Sequence, residues 1–183
     1  MSLFAPNKTP SKNTLTVPEI ALFAMLGALM FGAQVVMEVL PNIHLIALFV
    51  VTLTVVFRQK ALYPLYVFVF ITGLYAGFAP WWVPYLYIWT VLWGVVMLLP
   101  RNMPLWLASA VYAIVSACHG FLYGVLYAPA QALLFGMSFE GMLAWIVAGL
   151  PFDLIHGISN LVCGVMIVPF ATLLTRLKKQ YRF

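Results

Sequence analysis

Six long apolar runs, most of them separated by short links, restrict this chain to very few folds. A helix needs about 20 mostly apolar residues to cross a bilayer, and each run approaches or exceeds that length. Hydrophobic residues make up 65% of the chain and charged residues 7%, with a mean hydropathy of +1.06. Soluble domains do not reach these values. We therefore predict an all-α integral membrane protein with six transmembrane helices, over residues 18–37, 43–57, 61–78, 83–99, 105–126 and 142–174.

The chain divides into a membrane domain and two tails. Residues 1–18 are polar and proline-containing, residues 19–175 hold the six runs, and residues 176–183 are basic. No small-residue cleavage site follows the first run, so we expect a retained helix and not a signal peptide. The link at 127–141 is apolar enough to form a lid or an interfacial helix. The last run exceeds one span, and Pro151 is expected to break or kink it.

The distribution of basic residues predicts how the chain is oriented. All nine Lys and Arg residues lie in the two tails or in the links after the second and fourth runs. These four segments share one side of the membrane in a six-span chain, and the positive-inside rule places that side in the cytoplasm. We therefore predict cytoplasmic N and C termini in a prokaryotic plasma membrane. The links that contain Glu38, Trp81 and Glu140 then face outward.

Several classes of function are disfavoured by the sequence. The bases are scattered and form no stripe, so no nucleic-acid partner is expected. Cys118 and Cys163 lie in apolar runs without CxxC spacing, and His119 and His156 lack the clustered spacing of a metal site. We expect neither a metal nor another cofactor.

Catalytic and energy-coupling motifs are also missing from the sequence. It contains no GxSxG, HExxH or SxxK motif and no GxxxxGK[ST] phosphate loop. A single acid within the spans offers little for ion-coupled transport. We therefore expect a binding protein that is driven by other subunits and not an enzyme, with an intramembrane enzyme or a purely structural subunit as alternatives.

The last apolar run carries a polar cluster. Asp153, His156 and Asn160 are spaced i, i+3 and i+7, which places them on one helix face. Polar groups at membrane depth are costly and commonly mark a site that faces the bundle interior. The alternative is that Asp153 and His156 form a structural clasp between helices.

A second polar face and a set of aromatic residues accompany this cluster. His119 and Tyr123 share a helical face in the fifth run, and aromatic side chains follow the third: Trp81, Trp82, Tyr85 and Trp89. Together with the polar cluster they suit a small polar aromatic molecule, because rings stack on its faces while polar groups bind its edge.

The first run has a stripe of small residues, Ala24, Ala28 and Gly32, repeated every four positions. Small residues let another helix approach closely. The sequence leaves open whether that helix belongs to this chain or to a partner.

At this point the chain resembles a known family. The small-residue stripe, the LPNIHL segment that begins at Leu40, and the PFDLIHGISN segment that begins at Pro151 are similar to the substrate-binding S components of energy-coupling factor transporters. The resemblance covers nearly the whole chain. It is greatest with the hydroxymethylpyrimidine or pyridoxine branch, and an S component for another vitamin, such as pantothenate or cobalamin, is the alternative.

The resemblance implies a vitamin-capture subunit that docks on a transmembrane T component and two cytosolic ATPases. It further implies that the small-residue stripe contacts the T component. The ligand would lie near the outer face, beneath the links between spans one and two, three and four, and five and six. This adds Glu38 and Asn42 of the first link, and His44 directly after it, to the candidate site residues.

Overall fold

The computed structural model describes residues 15–181, and all of its regular structure is helical. The bounds of the helices are α1 Val17–Met37, α2 Ile46–Phe57, α3 Leu62–Ala76, α4 Tyr85–Leu98, α5 Leu105–Phe121, α6 Tyr123–Phe135, α7 Phe139–Gly164 and α8 Ile167–Tyr181. Short 3-10 turns occupy Arg58–Ala61 and Pro80–Trp82. The all-α prediction is confirmed for these residues, and five or six helical segments are long and apolar enough to cross a membrane. Most of the predicted N-terminal tail lies outside the described residues.

The apolar stretch Ile46–Ala76 is a hairpin of two helices. Arg58 has a φ of 56° and turns the chain where α2 ends. The indole nitrogen of Trp93, in the second half of α4, donates to the Arg58 carbonyl at 3.1 Å. The Tyr66 hydroxyl of α3 donates to the Leu86 carbonyl, at the start of α4, at 3.0 Å. Therefore α3 runs antiparallel to α4. The His44 ring, just before α2, lies 6.3 Å from the Trp89 ring, so α2 runs parallel to α4.

The last two long helical segments, residues 105–135 and 139–181, each contain one break. Neither break lies where the sequence predicted. Residues 123–135 form α6, which continues the fifth span beyond the break at Leu122, although 127–141 was predicted to be a link. Helix α7 continues through Pro151, and the chain breaks instead at 165–166. Of the predicted break or kink at Pro151, the break is wrong, because α7 is continuous through this residue. Residues 176–181, which include Arg176, Lys178 and Lys179, are the last residues of α8.

Contacts between the charged residues place both ends of the described chain at the same end of the bundle. Lys60 Nζ lies 2.6 Å from Glu19 Oε1 near the start of α1. The Arg58 guanidinium donates to the Met97 carbonyl at 2.8 Å, and Lys178 of α8 lies 4.9 Å from the centre of the Phe57 ring. We call this the basic end.

Glycine allows α5 and α7 to pack with their backbones in contact. A Cβ atom on Gly120 would lie 2.8 Å from the Cα and N atoms of Gly157, and one on Gly164 would lie 2.7 Å from the Ala113 Cα. Small residues give this close approach in membrane bundles, where dispersion and hydrogen bonds replace the hydrophobic effect between helices. The contact aligns the polar faces of the two helices.

Helix α1 buries one face and exposes the opposite one. Phe23, Gly27 and Met30 are buried, and a Cβ on Gly27 would collide with Val67 and Pro64 of α3. The predicted stripe lies on the other side: Ala24, Ala28 and Gly32 are all exposed. The stripe is therefore not an internal packing surface within the described chain.

Candidate functional site

A cleft of about 410 Å³ opens between α6 and α7. This volume lies within the range of small-molecule sites, which is roughly 300 to 1,000 Å³. Its aromatic and polar lining comes from two helical faces, one on α6 and one on α7: Tyr123, Gly124, Tyr127, Gln131, Trp145, Ala148, Gly149, Phe152, Asp153 and His156. The predicted residues Asp153, His156 and Tyr123 are thus brought together in the wall of one cleft.

Asp153 caps the beginning of α6. The break at Leu122 leaves the first-turn N–H groups of α6 without helical partners, and the Gly124 N–H donates to both Asp153 carboxylate oxygens, at 3.0 and 3.1 Å. A Cβ on Gly124 would collide with the Asp153 carboxylate, so a larger residue here would displace that carboxylate. A carboxylate at a helix N-terminus is stabilised by the helix dipole. Asp153 therefore fixes the α6–α7 geometry that shapes the cleft.

His156 is buried but makes no hydrogen bond through Nδ1. That nitrogen lies 3.8 Å from Asp153 Oδ1, which is too far for a hydrogen bond. The Asp153–His156 clasp, considered as the alternative to a site, is thus not formed as a hydrogen bond. The His156 ring lies 5.1 Å from the ring of Tyr123 and 4.6 Å from the ring of His44.

Behind the cleft, aromatic rings from four parts of the chain form a continuous cluster. Trp89 of α4 is at its centre, 5.5 Å from His119, 5.9 Å from Tyr123 and 5.9 Å from Tyr85, measured between ring centres. His44 joins the cluster from the first link, near Trp89 and Tyr123. This set, here called the ring cluster, connects the predicted residues of the first link, α4 and α5 to the cleft.

Four buried ring nitrogens in and beside this cluster lack a hydrogen-bond partner: His44 Nδ1, Trp89 Nε1, His119 Nδ1 and His156 Nδ1. Buried polar atoms are normally paired, and leaving each one unpaired costs about 1 to 3 kcal/mol. Such a concentration of unpaired nitrogens is typical of a site that hydrogen-bonds a ligand or ordered water. His119 still has one bond, since its Nε2 lies 3.1 Å from the Ile88 carbonyl oxygen.

His44 is the one member of the ring cluster in a link between spans. Burial, reinforced by the neighbouring His156 and His119, lowers the pKa of His44 to about 4. The ring is therefore neutral near pH 7, and one of its nitrogens can donate a hydrogen bond while the other accepts one.

Four predicted site residues lie outside both the cleft lining and the ring cluster. Asn160 donates from its side chain to the Ser116 carbonyl at 3.1 Å and so joins α7 to α5. The Trp82 indole donates to the Val69 carbonyl of α3 at 2.8 Å. Glu38 is exposed in the turn after α1, and Asn42, at a φ of 62°, shapes the first link. Trp81 lies at the edge of the aromatic set, where it contacts Tyr85 and its carbonyl accepts from the Tyr127 hydroxyl at 2.9 Å.

The cleft also contains residues that the sequence analysis missed. Tyr127 and Trp145 stack across it with ring centres 5.7 Å apart and planes 17° apart, and Gln131 contributes an amide. Tyr127 and Gln131 follow Tyr123 at i+4 and i+8, so helical spacing could have extended the predicted face. Interpreting 127–141 as a link, because of Pro129 and Gly136, concealed that periodicity.

Among residues 15–181, no three or more His, Cys, Asp and Glu side chains are arranged to hold a metal ion. Polar side chains of the cleft can instead hydrogen-bond the edge of an organic ring while aromatic side chains contact its faces. Comparison with protein-family models, curated proteins and solved structures found no significant match.

Proposed function

We propose that this protein is the substrate-capture subunit of an energy-coupling factor importer. In this proposal the α6–α7 cleft binds a small ring-bearing vitamin or precursor, with hydroxymethylpyrimidine and pyridoxine as the favoured ligands. The observation that carries the proposal is the set of unpaired ring nitrogens beside an aromatic cleft of about 410 Å³. A ligand of this kind would pair the His156 nitrogen, which lines the cleft, and would stack on the surrounding rings.

Within the proposed site, Asp153 and His156 bind the polar edge of the ligand. Tyr123, Tyr127 and Trp145 contact its faces, because their rings line the cleft. His44, Trp89 and His119 supply further hydrogen bonds from the ring cluster, either directly or through water.

Transport by such a subunit requires partners. A T component would dock on the exposed stripe Ala24, Ala28 and Gly32, and two cytosolic ATPases would supply the energy. The exposure of the stripe supports this assignment, since small residues on an outer helix face permit close approach by a second membrane protein.

Co-purification tests the ligand. We expect the protein extracted in mild detergent to carry a small heteroaromatic molecule, which mass spectrometry of the denatured sample identifies, and the emptied protein to bind hydroxymethylpyrimidine or pyridoxine in calorimetry. An unrelated membrane protein purified in parallel is the control. A preparation that carries no ligand and binds neither compound contradicts the proposal, and turnover of a bound compound without ATPase partners would indicate an enzyme.

The orientation is proposed from the basic end, which the positive-inside rule places in the cytoplasm. In a background with Cys118→Ala and Cys163→Ala, we expect an impermeant maleimide to label Leu40→Cys in intact cells. Lys179→Cys should be labelled only after permeabilisation. Both positions are exposed and lie toward opposite ends of the bundle. The reverse labelling pattern would show that the site opens inward.

A further inference from the structure

The charge of the cleft wall defines which ligands can bind there. Its lining includes one ionisable acid, Asp153, and no Lys or Arg among the residues that the structure describes. Lys60 and Arg58 lie instead at the basic end, where Lys60 pairs with Glu19 and Arg58 donates to the Met97 carbonyl. A negatively charged ligand group in the cleft would therefore face a carboxylate without a compensating cationic chain from Lys or Arg.

The helix N-terminus at the cleft is already neutralised. Free N–H groups at the start of a helix commonly bind phosphate, and α6 begins in the cleft wall. Both carboxylate oxygens of Asp153 accept from the Gly124 N–H, however, so an internal anion takes the place that a phosphate would need. The N-terminus of α2 lies next to His44, but α2 contributes no residue to the lining of the cleft.

His156 does not make the net charge of the cleft wall positive. His156 is the imidazole in the lining, and it lies 3.8 Å from Asp153 Oδ1. A proton on His156 would be balanced by the neighbouring carboxylate, which leaves the pair with no net positive charge. Transfer of a phosphate monoester, with about 1.5 to 2 negative charges at pH 7, into this cleft would thus lose hydration without gaining a counter-charge.

Resting on the proposed function, we infer that the cleft selects uncharged or cationic rings and rejects their phosphate monoesters, with Asp153 as the residue that determines this specificity. A hydroxyl or amino group on the ring can donate to the carboxylate, whereas a phosphate oxygen is repelled by it. Aromatic walls add to the preference, because Tyr and Trp faces attract cations.

The test compares two probe pairs: hydroxymethylpyrimidine with its phosphate monoester, and pyridoxine with pyridoxine 5′-phosphate. For the purified full-length protein, we expect each ester to bind about a hundredfold more weakly than its alcohol, or worse. In Asp153→Asn we expect this ratio to fall by about tenfold or more, since the repulsive charge is gone. The asparagine carbonyl can still accept from Gly124, and a melting curve verifies that the variant is folded.

Glu140→Gln is the matched control, because it removes one negative charge from the exposed first turn of the same helix. Its ratio should equal that of the unaltered protein. Esters that bind within tenfold of the alcohols, or a ratio that Asp153→Asn and Glu140→Gln change equally, would overturn the inference while leaving the proposed function intact. A protein that binds neither alcohol overturns both.

Discussion

Replacing His156 with leucine is expected to weaken binding of hydroxymethylpyrimidine or pyridoxine by about tenfold to a hundredfold, which corresponds to about 1.5 to 3 kcal/mol. The variant loses a hydrogen-bonding ring from the cleft wall. It should not lose stability, because His156 Nδ1 has no partner within the protein and leucine fills much of the same space. Removing an unsatisfied buried polar atom is neutral or stabilising. Calorimetry gives the affinity, and thermal unfolding in detergent gives the stability.

Asn160→Ala is the matched control, since Asn160 lies one helical turn further along the same buried face. It deletes the hydrogen bond to the Ser116 carbonyl between α7 and α5 and should lower stability by about 1 to 3 kcal/mol with little change in affinity. The opposite pattern, in which His156→Leu melts earlier and binds normally, would show that the polar face is a structural clasp and not a ligand site.

Enlarging both Ala24 and Ala28 to tryptophan is expected to abolish docking on the T component and ATP-driven uptake. Two indole rings on the exposed stripe prevent a second helix from approaching closely. Ligand binding by the isolated subunit should remain normal, since the opposite face of α1 makes the internal contacts through Phe23, Gly27 and Met30. Co-purification with co-expressed partner subunits measures docking, and radiolabelled substrate measures uptake.

Ala110→Trp provides the control for added bulk, because Ala110 is an exposed alanine on α5, away from the stripe. It should leave docking, uptake and binding unchanged. A double variant at Ala24 and Ala28 that still docks would exclude the stripe as the interface. Loss of ligand binding together with docking would mean that α1 supports the cleft itself.

Much of the helical architecture was predictable, because the length of each apolar run and the position of each link fix where a spanning helix begins and ends. Packing between helices has little influence on these bounds. The predicted spans 43–57, 61–78 and 83–99 correspond to α2, α3 and α4 within a few residues at each end. The errors occurred where local signals mislead. Pro151 does not end α7, because neighbouring groups in a membrane bundle can compensate for a lost helical bond, and the break at Leu122 has no proline or glycine at that position to signal it.

The candidate site was predictable only in part. Helical spacing correctly placed Asp153, His156 and Asn160 on one buried face, since periodicity depends on backbone geometry alone. Spacing could not show that Asn160 bonds to α5 while His156 lines a cleft, because that difference depends on how closely the helices approach. Gly120 and Gly157 establish that approach through long-range packing.

The length of the central helix α2 determines how far the ring cluster lies from the basic end. It is almost entirely surrounded by the other helices, so its 12 residues need not match the lipid, and at 1.5 Å per residue they span about 18 Å. His44 of the ring cluster precedes it and Arg58 of the basic end follows it, whereas the hydrocarbon layer of a bilayer is about 30 Å thick. A ligand bound beside His44 would thus be separated from the basic end by about 18 Å of protein, little more than half the thickness of the hydrocarbon layer.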